Sequence, residues 1–235
     1  MTKAGGARAR ARIEVTAAIK DEARRQLAAQ GAARLSLRAV ARELGMVSSA
    51  LYRYFPSRDD LLTALIIDAY DSLGEAAEAV AAEVRDAAPA ERWVAVCEAV
   101  RRWALTHPHE YALIYGSPVP GYSAPEATVP PASRVGVLLI GIVREAYERR
   151  GVARTPLPAE LAPEARRMAA DLAPDLPPEV VVALVAAWAQ LYGLVGFELF
   201  GQFTKVVEDR EPFFRHAAAR LAHGVGLVLP HAQHD

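Results

Sequence analysis

Apolar residues recur along this chain at spacings of three and four, the period of an α-helix with one buried face, and predict an all-α protein. A first stripe runs Ile13, Ala17, Ile19, Ala23, Leu27 and Ala28, and Gly31 stops it. Residues 1–11 show no such pattern and are expected to be mobile. Their neighbourhood carries Arg8, Arg10 and Arg12, which could lie along a phosphate backbone or simply be solvated. Ser36 is placed to cap a second helix through Leu37, Val40, Ala41 and Leu44, which Gly45 ends in a left-handed conformation. Ser57, with Asp60 three residues on, opens a long helix through Leu61, Leu62, Leu65, Ile66, Ala69 and Leu73 to about residue 84. Asp59 and Asp60 fall in its first turn, where the helix dipole favours them.

Further on, Pro89 marks a boundary and residues 90–106 read as a helix with Trp93, Val96, Cys97, Val100, Trp103 and Ala104 on one side. A short helix is expected over 109–115, then a loop, GSPVPGYSAPEATVPP, too rich in proline to be helical. Periodicity returns over 132–150, and the Pro-rich passage 153–178 has room for one short helix near 163–172. Residues 179–207 are apolar around most of a helix circumference, so this helix needs cover on several sides. Residues 211–229, with Phe213, Phe214, Ala217, Leu221, Val225 and Val228, supply a second member of a helix pair. Two such hairpins related by a twofold axis would bury one another as a four-helix bundle.

Charge sharpens this picture. The net charge of -1 conceals twelve Lys or Arg against six Asp or Glu in residues 1–60, a balance of +6, which leaves -7 for the remainder. Positive charge therefore sits with the first helices, where a polyanion would be met. At 235 residues and 52% hydrophobic, the chain can bury one large core or two smaller ones. Cys97 is the only cysteine, so no intrachain disulfide and no thiolate zinc site can form within one chain. The basic N-terminus lacks the apolar stretch of a signal peptide, and no apolar run is expected to span a bilayer, so a cytoplasmic protein without a membrane partner is expected.

Helix, Gly turn, helix over residues 34–62 is the arrangement that sets a second helix in a major groove. The stretch 13–73, and above all ALYRYFPSRDDLL, resembles the TetR family of bacterial one-component repressors, as does the spacing of Leu37, Arg38, Val40, Ala41, Gly45, Leu51, Tyr52, Tyr54 and Phe55. HPHEYALIYGSPVPGYSAPE and WAQLYGLVGFELFGQF further resemble a WHG-type subgroup of TetR ligand-binding domains, with Tyr192-Gly193 where that subgroup has His-Gly. The resemblance implies an N-terminal three-helix DNA-binding domain with a helix-turn-helix and a C-terminal helical ligand-binding and dimerisation domain. It implies a double-stranded DNA operator, a homodimer and a small-molecule effector that releases a repressor. The expected divisions are 1–57 for the arm and helix-turn-helix, 58–88 for a connecting helix and 89–235 for the rest.

Carried over to this chain, the resemblance has Arg38 reach a base edge or phosphate, Ser48, Ser49 and Ala50 open the recognition helix towards bases, Tyr52 bond a phosphate, and Tyr54 and Arg58 flank it on the backbone. Short side chains at 48–50 let the helix axis approach the groove floor, and Ala can touch a thymine methyl. Leu51 and Phe55 belong to the core. Val47 stands where a hydroxyl often caps this helix, so Ser48 is expected to cap instead, with the helix starting one residue later. For the effector, the candidate lining is Trp93, Trp103, Tyr111, Tyr115, Trp188, Tyr192 and Phe197, with Glu198 and His107 as polar partners, which suggests an apolar or aromatic guest.

Other classes find less support. Cys97 has no neighbouring His in sequence, and neither a Ser elbow nor a phosphate loop occurs, so no enzyme and no cofactor are expected. His107, Pro108 and His109 read more simply as a helix boundary than as metal ligands. A helical adaptor that had lost DNA binding would have no reason to keep both Arg38 and Tyr52.

Overall fold

The computed structural model describes residues 3–227, and among them every regular element is helical. The chain divides into two compact units. The first contains the chain through Asp71 together with His107–Ala132, and the second contains Ser72–Thr106 and the chain from Ser133 onward. The division does not follow the boundaries expected at 57 and 88, because the short helix and Pro-rich loop after His107 join the first unit.

In the first unit, α1 (Lys3–Gln30), α2 (Leu37–Glu43), α3 (Ser48–Leu51) and the opening turns of α4 (Arg58–Glu83) close one core. Ile19, Ala23, Leu27, Val40, Leu51, Leu61 and Leu65 are its buried members. The helix α1 begins well before the expected start, at Lys3, since Ala and Arg are strong helix formers that need no apolar face. Its buried side is narrower than the sequence stripe. Ile13 is 68% exposed because the core reaches only as far as Val15, and Ala17 and Ala28 are exposed because they lie roughly opposite the buried row of Ile19, Ala23 and Leu27. Into this unit falls α6 (Pro108–Tyr115), and the loop after it is tied down by a 2.9 Å bond between Tyr122 and Thr63 of α4.

The second unit holds the rest of α4, α5 (Pro89–Thr106), most of α7 (Val129–Arg150), α8 (Ala162–Leu172), α9 (Pro178–Leu199) and α10 (Arg210–Gly224). Its first turn lets α7 start before the expected residue 132, since Pro130 and Pro131 occupy positions whose N–H groups have no partner in a helix anyway. The centre is α5, whose Trp93, Val96, Cys97 and Val100 are fully buried, with α9 and α10 packed on it and α8 along α9. By length and composition alone, Glu126–Arg149 and Pro178–Leu199 could each cross a membrane, which departs from the expectation that no run would. In this fold α5, α8 and α10 cover part of the apolar surface of α9 and leave Trp188 and Phe197 exposed.

Two helices end earlier than their apolar patterns suggest. At Leu199 α9 stops, where Gly201 takes φ +80° and Gln202 N–H reaches back to the Phe197 carbonyl at 2.8 Å. The helix α10 ends at Gly224, and just past it Gly226 takes φ +87°, with Leu227 N–H bonded to the Ala222 carbonyl at 2.9 Å. Val228 and Leu229, expected in that helix, lie outside the described residues.

Ion pairs fasten α7 to its neighbours. Arg92 of α5 donates to Glu145 at 2.5 Å, and Arg134 of α7 makes two bonds to Glu78 of α4 at 2.9 and 2.8 Å, passing over Gly74. These hydrogen bonds hold the carboxyls of Glu145 and Glu78 below the ordinary carboxylate range. A lowered folded-state value contributes stability above the unfolded value, and that stability is lost as pH falls through the folded one. Thermal midpoints should therefore be flat near neutrality and decline on acidification. Glu145→Gln should lower the midpoint at neutral pH and narrow the gap to the parent protein in acid, as measured by circular dichroism; a gap that is constant with pH would contradict the pairing.

Candidate nucleic-acid interface

Local rules build the helix-turn-helix. Ser36 Oγ accepts from Ala39 N–H at 3.4 Å and caps α2. At the other end Gly45 sits at φ +64°, with its N–H bonded to the Arg42 carbonyl at 3.1 Å and Met46 N–H to the Ala41 carbonyl at 2.8 Å. This paired closure needs a residue without Cβ strain, and it turns the chain into α3. Val47 occupies the cap position of α3 in extended conformation and makes no side-chain cap bond. The helix starts at Ser48, so the expected capping by Ser48 does not occur: Ser48 is already the first helical residue.

Turns continue α3 through Tyr54, with Tyr52 N–H on the Ser48 carbonyl at 3.1 Å. Leu51 and Phe55 point into the core, as expected. Ser49, Tyr52 and Arg53 are exposed at spacings of three and four, so they share one outward side, with Ser48 and Ala50 partly exposed beside them. Arg38, in the first turn of α2, is also exposed. Sequence reasoning passed over Arg53, although its position four residues after Ser49 was the signal that would have found it.

Two expected backbone contacts look different in three dimensions. Tyr54 is half-buried, and the Arg12 guanidinium lies over its ring, 5.4 Å from the centroid. Arg58 was expected to flank a phosphate, but its guanidinium donates to the carbonyls of Leu35 at 3.2 Å, Ala32 at 2.9 Å and Ala33 at 3.3 Å. It braces the turn before α2 against the start of α4, with Nε and Nη2 engaged there. Ser57 Oγ accepts from Asp60 N–H at 3.0 Å and donates to the Asp60 carboxylate at 2.6 Å, which caps α4 as expected.

Charge also fixes the helices behind the reader. Asp68 of α4 pairs with Lys20 and Arg24 of α1, both at 2.8 Å, and Arg24 reaches Glu110 of α6 at 3.1 Å. Tyr70 of α4 meets Tyr115 of α6 edge to face at 5.9 Å, and burial raises the pKa of the Tyr70 hydroxyl.

Residues 19–65 match the family model for bacterial regulatory proteins of the tetR family, and residues 93–221 match the model for the Tetracyclin repressor-like C-terminal domain. The chain belongs to the TetR family. Among relatives of this TetR-family regulator is the HTH-type transcriptional regulator Rv1816 of Mycobacterium tuberculosis, 39% identical over 205 residues that cover 84% of this chain and 86% of the relative. The crystal structure of the regulatory protein SCO4313 superposes with a TM-score of 0.74 at 35% identity, covering 91% of this chain and 98% of that one. RolR, solved with resorcinol bound, shares the fold at a TM-score of 0.53 and 18% identity, covering 94% and 98% of the two chains. The TetR family is not enzymatic, in keeping with Cys97, whose thiol is fully buried and whose pKa that burial raises.

Of the seven aromatic effector candidates in this TetR-family chain, two fall in the first unit and five in the second. Tyr111 and Tyr115 pack on each other at 5.2 Å in α6, within the unit of the DNA reader. Trp93 and Trp103 are buried in α5, Trp103 Nε1 donating to Ser72 at 2.9 Å. Trp188 and Tyr192 form an edge-to-face pair at 5.7 Å on α9. Phe197 is on another side of α9 and 55% exposed. Glu198, offered as a polar lining residue, is buried in a two-bond ion pair with Arg101 of α5, both bonds at 2.7 Å.

Proposed function

We propose that this TetR-family regulator is a dimeric repressor that reads an operator through α3 and leaves it when a small apolar or aromatic molecule binds its C-terminal domain. The observation that carries the reading is the two-sidedness of α3, with Leu51 buried and Ser49, Tyr52 and Arg53 facing out beside Arg38. Arg38 suits a base edge, Ser48, Ser49 and Ala50 suit the groove floor, Tyr52 suits a phosphate, and Tyr54 borders it. Arg58 acts as a brace behind them. A DNA partner would keep the protein in the cytoplasm.

The dimer reading is supported by the outer side of the α9 and α10 pair. Phe197, Phe203 and Phe213 follow one another edge to face at 5.8 and 5.5 Å, and they line an open, mainly apolar groove of about 560 Å³ with Leu194 and Ala217. A side of this kind is what an isologous helix-pair interface needs, so Phe197 fits it better than a ligand cavity. For the effector, Trp93, Trp103, Trp188 and Tyr192 remain the lining candidates, Tyr111 and Tyr115 belonging to the other unit. Trp93 Nε1 is buried with no hydrogen-bond acceptor among the described residues, a donor that an oxygen-bearing aromatic guest would satisfy. The fold holds such a guest in RolR, whose ligand is resorcinol. The segment from Trp188 to Gly193 supports placing this domain with the WHG type. Release then requires that the guest bind the DNA-incompetent dimer more tightly than the competent one.

The test compares DNA fragments selected from the source genome with a mixed-sequence duplex. Tyr52→Phe should weaken binding to both alike. Arg38→Ala should cost about 1–3 kcal/mol on selected fragments and less on the mixed duplex. Equal loss on the two DNAs for Arg38→Ala would remove base reading from the proposal.

A further inference from the structure

Beyond the helix-turn-helix, α1 continues in a direction that its core does not explain. Its buried side is the row Ile19, Ala23 and Leu27. Continued towards the N-terminus at helical spacing, the same row passes through Arg12 and Arg8, and Arg10 falls on the opposite side. The core ends near Val15, so the head-facing side of α1 changes there from apolar to cationic while the helix runs on. Arg12 shows where that side points: its guanidinium covers the ring of Tyr54, which is half-buried against the core two residues after the exposed Tyr52. Arg8 stands one turn further out, about 6 Å along the axis. Both side chains are exposed, and neither has a carboxylate partner among the described residues.

We infer that the N-terminal turns of α1 are a second DNA-contacting element, in which Arg12 and Arg8 bind consecutive backbone phosphates beside the groove occupied by α3, and Arg10 takes no part. The stack on Tyr54 holds the Arg12 guanidinium at the reader's edge, leaving its N–H groups for phosphate oxygens. A purely electrostatic tail would treat the three arginines alike. A helix that presents one side to the duplex separates them. Phosphate contacts carry no sequence information, so this element would raise affinity for all duplexes. The inference rests on the proposed reading of α3 as a DNA reader.

The experiment measures binding of a mixed-sequence duplex across a potassium chloride series by fluorescence anisotropy, for the full chain and for Arg8→Ala/Arg12→Ala, Arg10→Ala and Tyr52→Ala. Each lost phosphate contact should lower the slope of log affinity against log salt by roughly 0.9, so the double variant should lose roughly 2 per bound protomer. Arg10→Ala should keep the parent slope, and all variants should keep the parent circular dichroism spectrum. An unchanged slope in the double variant overturns the proposal, as does a loss of roughly 1 for Arg10→Ala, the share of one equivalent arginine. Failure of the underlying reading looks different: the parent protein would not bind the duplex, or Tyr52→Ala would bind it as well as the parent.

Discussion

Phe197→Asp should convert the proposed dimer to a monomer and lower its affinity for a genomic operator fragment about 10²- to 10⁴-fold, the gain that linking two reading heads provides. Phe197 is 55% exposed and Phe213 is 40% exposed, so neither holds its own unit together. In a twofold interface built on the groove they line, an aspartate at 197 would have to leave water without a partner, a penalty of several kcal/mol. Folding should survive, since the substituted side chain faces outward. Sedimentation equilibrium reads the subunit count, and anisotropy on the operator fragment reads the affinity. A variant that remains dimeric with parental affinity would move the interface elsewhere. Truncation before α10 is a poorer probe, because it would strip Phe214, Ala218 and Leu221 from the core and confound dissociation with unfolding.

The DNA reader was legible because its decisions are local. Ser36, Gly45 and the Ser57 and Asp60 pair each act on backbone within five residues, and such signals survive in a bare sequence. Arg58 was not legible in the same way: its acceptors lie 23 to 26 residues upstream, and only the closed fold brings them to its guanidinium. The early start of α1 escaped notice because hydrophobic periodicity reports burial, and a helix that overhangs its core has none to report. In α9 the difficulty was reversed. A helix apolar on nearly every side does not reveal which residues meet the core and which meet a partner, so Tyr192 and Phe197 read alike although one is buried and the other exposed. Gly201 was the usable stop signal for that helix, and Phe203 and Val207 masked it by extending the apolar pattern.

Arg101→Ala should destabilise the second unit by about 3–5 kcal/mol, the cost of leaving a buried carboxylate without its partner. Glu198 is only 6% exposed, and Arg101 meets it with two bonds of 2.7 Å while its guanidinium lies 5.5 Å from the centre of the Phe214 ring. The pair thus joins α5, α9 and α10 at one point. Urea denaturation of the single variant should show the full loss, whereas Arg101→Met with Glu198→Met should recover most of it, because two apolar side chains need no counter-charge. A single-variant loss below about 1 kcal/mol would mean that the pair behaves as a solvated contact. Loss of equal size in the single and double variants would assign the effect to packing of the arginine stem instead. Glu198 also follows Phe197 directly in the chain, one turned inward and the other outward, so the ion pair fixes the rotation of α9 about its axis. Arg101→Ala should accordingly weaken the dimer as well as the fold, and the double methionine variant should restore both together.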